Sequence, residues 1–315
     1  IAGNGVVLKH ASNVPQCALA VEEVFRDAGL PDGLLRSVLL QGPAVESVIG
    51  DARIAGVTLT GSSDVGARIA SIAGRHLKKQ VLELGGSDPF IVLADADVAY
   101  AARVGARARN QNNGQSCIAA KRFLVEDAVA DEFAAHLADA IRDLRVGDPL
   151  DGGVQVGPLA RADLRDTLAD QVSATLQAGA RAIVGDGEIP ARGWYFAPTL
   201  LDGVEPAMPA FREETFGPVA ALTRVPDLDR AIDLANDTVY GLGASVWTRD
   251  LDAARHIARR LAAGSVFVNG LVASDARMPM GGVKASGYGR ELGEYGVREF
   301  TNVQTVRIGP GDGPG

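Results

Sequence analysis

Short β-branched runs alternate with helical stripes from the first residues to beyond residue 260, and this alternation leaves few folds open. A strand that feeds a helix and then another strand builds a parallel sheet covered by helices. Val6 to Lys9 reads as a strand. Asn13 and Pro15 start a helix with Ala18, Val21, Val24 and Phe25 on one face, a stripe suited to core packing, and Gly29-Leu30-Pro31 ends it. Strands are expected at Ser37 to Leu40 and Ile54 to Leu59, with a helix from Gly42 between them. Gly61-Ser62-Ser63-Asp64-Val65-Gly66 opens a further helix, and Gln80 to Glu83 is the strand that follows it.

A second series begins after Gly85-Gly86. Its strands are expected at Phe90 to Leu93, Arg122 to Val125, Ala182 to Val184, Val219 to Leu222, Ala244 to Trp247 and Ser265 to Asn269. Its helices are expected at Asp97 to Arg109, Ala128 to Leu144, Arg161 to Ala178, Leu228 to Ala235 and Leu251 to Ala262. Gly147 to Pro158 is loop by its turn chemistry, and the glycine-rich tail from Ile308 to Gly315 is expected to be mobile. With 315 residues there is room for about two domains, giving an α/β chain with mainly parallel sheets flanked by helices.

Charge narrows the range of partners. The formal net charge is −8, and no Lys/Arg cluster interleaved with aromatics is present, which argues against a nucleic-acid surface. No apolar run is long enough to cross a bilayer, so no membrane partner is expected. Only Cys17 and Cys117 occur, without a CxxC pair, which fits a reducing cytoplasm. The chain opens at Ile1 rather than Met and enters a strand at once, which reads as a fragment lacking its beginning.

Two motifs carry chemistry. Cys117 ends the run Asn112-Asn113-Gly114-Gln115-Ser116-Cys117, and a thiol after small and amide residues suits a nucleophile. Glu83 precedes the paired glycines of Leu84-Gly85-Gly86, and a carboxylate there can activate water. On their own, the two residues could equally be a small buried hydrophobe and a solvated strand end. Gly61 and Gly66 flank a strand-to-helix turn whose amides, with the Ser62 hydroxyl, suit a phosphate, although a structural turn uses the same residues. The three-glycine dinucleotide fingerprint is absent. Lys9 lies at a strand's carboxyl end, where open α/β sheets bind ligands. Glu213-Glu214-Thr215-Phe216-Gly217-Pro218 joins two carboxylates to an aromatic and a rigid turn. The glycine-dense stretch Pro279 to Glu291 allows close backbone approach to a ligand, or is a structural loop leading to a helix capped at Arg290. The four histidines are scattered and metal-ligand spacing is lacking.

Gly61 to Gly66, Leu82 to Gly86, Gly114 to Cys117, Glu213 to Pro218 and Gly281 to Glu291 stand in the order and spacing of the aldehyde dehydrogenase superfamily, which the chain resembles over nearly its whole length. Leu8 to Val14, Gly86 to Phe90 and Ser274 to Arg277 resemble bacterial succinate-semialdehyde dehydrogenases in particular. The resemblance implies a partial dinucleotide-binding domain at 1–84, a thiol-bearing catalytic domain at 85–285, and a return to the first domain with an oligomerisation strand, Thr301 to Ile308, in 286–315. It also implies that family members carry an N-terminal segment, absent here, which completes the first sheet and holds an asparagine donor.

The same resemblance assigns roles residue by residue. Cys117 would attack an aldehyde, and Glu83 would activate water against the resulting thioester. Lys9 would meet the adenosine ribose, Ser62 the pyrophosphate and Glu214 the nicotinamide ribose, with Phe216 packing nearby. Ser12 stands where NAD-preferring relatives often have glutamate, so NADP is expected to be accepted as well as NAD. Gln111 stands where some succinate-semialdehyde enzymes have a carboxylate-gripping arginine, leaving Arg277 or a residue outside this sequence to supply the cation. A homodimer or homotetramer is expected. The competing expectation is a remnant that binds nucleotide or oligomerises without turnover.

Overall fold

A computed structural model gives the structure over residues 2–309. The expected alternation is realised as strands β1 (Val6–Leu8), β2 (Leu35–Ser37), β3 (Gly56–Thr60), β4 (Lys79–Glu83), β5 (Asp88–Val92), β6 (Ala120–Glu126), β7 (Arg181–Val184), β8 (Thr199–Asp202), β9 (Val219–Val225), β10 (Gly243–Trp247), β11 (Ser265–Val268) and β12 (Gly287–Tyr288). The helices are α1 (Pro15–Asp27), α2 (Val45–Gly50), α3 (Ser63–Arg75), α4 (Val98–Asn110), α5 (Asp127–Arg142), α6 (Ala162–Gln177), α7 (Pro209–Arg212), α8 (Leu228–Asn236), α9 (Leu251–Arg260) and α10 (Gly293–Glu299).

Seven strands form one sheet in the order β11-β10-β5-β6-β9-β8-β7, parallel throughout except for the β7–β8 pair. Its central strands read as almost unbroken apolar runs because helices cover both faces. Successive side chains of a strand point to opposite faces, so Phe90 and Val92 enter one core while Ile91 enters the other. On the first face Phe90, Phe123, Phe133 and Trp247 form an aromatic nucleus, with the Phe90 ring centroid 5.1 Å from that of Phe123 and 5.3 Å from that of Trp247. On the second, Leu124, Leu201, Phe211, Val246 and Ile257 pack together. The buried Arg122 guanidinium crosses between elements, donating to the carbonyls of Ser87, Leu234 and Ala235, and so caps the end of α8 while anchoring the start of β5.

A smaller sheet, β12-β4-β3, carries Glu83 at the end of β4. There β3 runs parallel to β4, and β12 returns antiparallel with Gly287 opposite Glu83. Gly287 takes φ +107°, and a Cβ on it would collide with the Leu82 carbonyl, so only glycine lets the late segment lie beside β4. A separate parallel pair, β1-β2, completes the strands.

Several expectations change. The stripe on α1 buries only Ala18, while Val21, Val24 and Phe25 remain 37%, 66% and 49% exposed. This helix is tied to β2 chiefly by polar bonds, from the Ser37 N–H to Glu22 and from the Ser37 hydroxyl to the Ala18 carbonyl. Thr301 to Ile308 forms no strand. Among the described residues it pairs with no strand of this chain, and Val303, Val306 and Ile308 are exposed. The segment after Arg290 does become helical, but α10 begins at Gly293, with Leu292 rather than Arg290 at its N-cap. β8 and β12 had not been expected. Of the tail from Ile308 to Gly315, residues 310–315 lie outside the described residues. Among the described residues no helix is long and apolar enough to cross a membrane, and no group of three or more His, Cys, Asp or Glu is placed to hold a metal.

Candidate active site

The run of amides before Cys117 builds a turn. Asn112, Asn113 and Gly114 take successive left-handed conformations, φ +51°, +57° and +73°, which asparagine and glycine tolerate better than other residues. This reverses the chain at the end of α4 and lifts Cys117 clear of it. The amides then fasten the loop. Asn113 accepts from the Gly157 N–H at 2.6 Å, Gln115 accepts from the Ala160 N–H at 2.9 Å, and the Asn112 amide donates to the Gln115 carbonyl at 2.8 Å. From the core, the Arg109 guanidinium donates to the Gly114 carbonyl at 2.6 Å. Gly114 lies flat on Gly217 and Pro218, with Pro218 N only 2.6 Å from where a Cβ would sit. The Cys117 loop and the Glu213–Pro218 segment therefore meet through backbone.

The Glu83 strand joins them through the paired glycines. A Cβ on Gly86 would lie 2.5 Å from the Cys117 carbonyl oxygen, and one on Gly85 would lie 2.5 Å from a Glu214 carboxylate oxygen. The Gly86 N–H donates to the other Glu214 oxygen at 3.0 Å. Leu82–Gly86, Gly114–Cys117 and Glu213–Pro218, far apart in sequence, thus converge on one place. The glycine-dense stretch closes it, because Gly281 lies against a Glu83 oxygen that is buried and has no hydrogen-bond partner.

Glu83 is 4% exposed, so it is no solvated strand end. Burial pushes its carboxyl up to about 7; Glu291 adds to the rise and Arg290 opposes it. Cys117 is half-buried, and burial likewise raises its thiol, with Asp88 and Glu214 adding to the rise. The Lys121 ammonium and the Ile118 N–H act the other way, favouring the thiolate. A thiol and a carboxyl that changes state near neutrality, held in adjoining segments, can serve in turn as nucleophile and base.

The dinucleotide candidates are placed as follows. Ser62 is the N-cap of α3 and accepts from the Val65 N–H, which leaves its hydroxyl proton free for a ligand at the helix N-terminus. Gly61 donates its N–H to the Glu83 carbonyl at 3.0 Å, linking that turn to the same strand. Gly66 packs against the Leu84 side chain, so its role in this structure is close helix–strand contact. Phe216 is half-buried in the segment whose Gly217 and Pro218 meet the Cys117 loop. Lys9 is half-buried just beyond β1 and Ser12 is exposed in the turn before α1. Gln111 sits at the end of α4 with its amide nitrogen buried and unpartnered. Arg277 has a side chain that is 87% exposed and a guanidinium engaged by Asp275 at 2.6 Å.

The sequence reading gave no role to four charged groups near Cys117 or Glu83. Lys121 and Arg109 are fully buried, Asp88 is 2% exposed, and Glu291 stands near Glu83. The signal for Lys121 was its position inside the apolar β6, where a solvated lysine has no place.

Comparison with known proteins places the chain among its relatives. The aldehyde dehydrogenase family model matches residues 1–306. A succinate semialdehyde dehydrogenase, NAD(P)+, of Escherichia coli K12 is 51% identical over 306 residues, 97% of this chain and 66% of that protein. A probable succinate-semialdehyde dehydrogenase, NADP(+), of Synechocystis is 50% identical over 308 residues, 98% of this chain and 68% of that one. The crystal structure of succinic semialdehyde dehydrogenase from Streptococcus pyogenes in complex with NADP+ superposes with a TM-score of 0.94 at 38% identity, covering 97% of this chain and 67% of that chain. The chain thus spans about two thirds of the length of the relatives it matches. With an α/β fold shared at this level and the matched model running through all three converging segments, the chain belongs to the aldehyde dehydrogenase family.

Proposed function

We propose that the chain oxidises an aldehyde, succinate semialdehyde or a similar short semialdehyde, to the carboxylate, with NADP+ or NAD+ as hydride acceptor. The observation that carries this reading is the seating of Gly86 against the Cys117 carbonyl, which sets the Glu83 strand beside the Cys117 loop. The names of the Escherichia coli, Synechocystis and Streptococcus relatives support the choice of substrate and cofactor.

In this reading the Cys117 thiolate adds to the aldehyde carbon, and its backbone N–H donates to the oxyanion that forms. Bound NAD(P)+ supplies the acceptor for the hydride leaving that carbon, which remains on sulfur as a thioester. Glu83 then takes a proton from water as the water oxygen attacks the thioester, and Cys117 departs as thiolate. A carboxyl that loses its proton near neutrality suits that step. Glu214 holds the nicotinamide ribose, Phe216 packs beside it, Ser62 meets the pyrophosphate, and Lys9 with Ser12 meets the adenosine ribose. The residues fit such a ligand. Ser62 offers a free hydroxyl proton at a helix N-terminus, and the bare Gly85 leaves a Glu214 oxygen uncovered. Gln111, with its unpartnered amide, is the better placed of the two substrate candidates.

Aldehyde-dependent NADPH formation by the 315-residue chain tests the proposal. Turnover is expected, and Cys117→Ala should abolish it. Equal turnover in that variant would refute the role of Cys117, and NADP+ binding with no turnover in either chain would leave a nucleotide-binding protein.

A further inference from the structure

The nucleophile loop rests on a buried cation that the reaction as described does not use. Lys121 lies in β6 at 0% exposure, and its Nζ donates to the Ser116 and Cys117 carbonyls at 3.0 Å each and to the Ala119 carbonyl at 3.3 Å. Three carbonyls of one turn thus converge on a single ammonium, which fixes the backbone that carries the sulfur. The same Nζ is 3.6 Å from Glu214 Oε1, the oxygen that also accepts from the Gly86 N–H at 3.0 Å. One ammonium therefore touches the Cys117 loop directly and shares a carboxylate with the Glu83 strand. An isolated buried lysine is costly, and it is tolerated here because all three of its N–H bonds and one counter-charge are supplied.

The geometry points to Lys121 as a positioning residue that holds the Cys117 loop and couples thiolate formation to the state of Glu214. This deepens the proposed function and rests on it in taking Cys117 as nucleophile and Glu214 as the ribose-binding carboxylate. The charges that act on the sulfur are those of Lys121 from β6, Asp88 from β5 and Glu214 from the segment after α7, while the charge of Arg109 from α4 acts on Lys121 and is itself acted on by Glu214 and Asp88. Lys121 favours the thiolate, and Glu214 and Asp88 disfavour it. The coupling follows. Glu214 neutralises part of the ammonium's charge, so whatever shields or withdraws that carboxylate strengthens the pull of Lys121 on Cys117. A dinucleotide whose ribose hydroxyls engage Glu214 would act in this direction, ripening the thiol as the cofactor seats.

The test is the pH profile of iodoacetamide alkylation at Cys117 in the 315-residue chain, read by peptide mass spectrometry, with the exposed Cys17 as internal reference. Burial lowers the Lys121 ammonium to about 8, so Lys121→Met should move the Cys117 profile to higher pH chiefly below that value, where alkylation at a fixed pH should fall about tenfold. Glu214→Gln, which keeps an oxygen for the Gly86 N–H, should move it to lower pH. Cys17 should not change in either. A profile that stays put in both variants, or moves the same way in both, would overturn the inference. A purely structural role for Lys121 would give no such opposition. If Lys121→Met fails to fold, Glu214→Gln decides alone, a downward shift supporting the coupling and an unmoved or upward profile ending it. Alkylation needs neither aldehyde nor turnover, so opposite shifts in a chain that oxidises no aldehyde would count against the proposed function only.

Discussion

β5 buries all five of its residues, Asp88 included, whereas β1, built from aliphatic residues alone, leaves Val6 49% and Val7 48% exposed. The difference lies in the neighbours. β5 runs between β10 and β6 with cores on both faces, while among the described residues β1 has only β2 paired with it, and the adjoining α1 turns Val24 and Phe25 outward. The same strand–helix unit is therefore dense around the Cys117 loop and sparse at the amino-terminal end. An element follows from its own residues; its stability depends on what lies alongside.

The largest contrast should appear in hydrogen exchange. Amides of β5, β6 and β9 should exchange at least about a thousandfold more slowly than those of β1 and β2, because local opening there needs little apolar exposure. Similar rates in the two groups would break the comparison. Next come paired truncations. Phe90→Ala removes the centre of the aromatic nucleus and should cost about 3–5 kcal/mol, whereas Phe25→Ala should cost less than about 1 kcal/mol. Denaturant midpoints measure both, and a Phe25 cost approaching that of Phe90 would show that α1 is covered in solution.

A smaller and pH-dependent difference distinguishes the carboxylates of the two regions. Glu83 holds its proton in the folded chain up to about pH 7, whereas an unfolded glutamate releases it near 4.5. Its contribution to stability is thus present at low pH and lost as pH rises through that window. Glu83→Gln should remove this dependence, leaving the variant more stable than the parent above about pH 7 by on the order of 2–3 kcal/mol. Glu22, held low by the Ser37 N–H and then by Arg36, has the opposite sign, giving stability above the ordinary carboxylate range that is lost on acidification. Thermal unfolding of Glu83→Gln and Glu22→Gln across pH would show slopes of opposite sign, and slopes of the same sign would contradict these assignments.

The alternation of β-branched runs with helical stripes made most strands and helices legible, since each is specified within its own ten or so residues. What escaped depended on distant partners. β12 is two residues hidden in a glycine-dense stretch and exists only because β4 accepts it. Thr301 to Ile308 carries strand-like residues but pairs with no strand of this chain among the described residues. The α1 stripe has the right spacing for a core and no core opposite it. At the site, Cys117 and Glu83 stood out because local glycines and amides mark them. Lys121, Asp88 and Arg109 did not, because their burial is set by strands and helices distant in sequence, and Arg277 is engaged by Asp275, two residues before it.

The central claim is that the Cys117 sulfur takes the acyl carbon and the Glu83 carboxylate releases it. Incubating the Glu83→Gln chain with succinate semialdehyde and NADP+, then locating any acyl adduct by peptide mass spectrometry, tests this most directly. The account predicts a thioester that accumulates on Cys117 and is absent from Cys117→Ala. No adduct at Cys117, or acylation that persists when Cys117 is replaced, would contradict it.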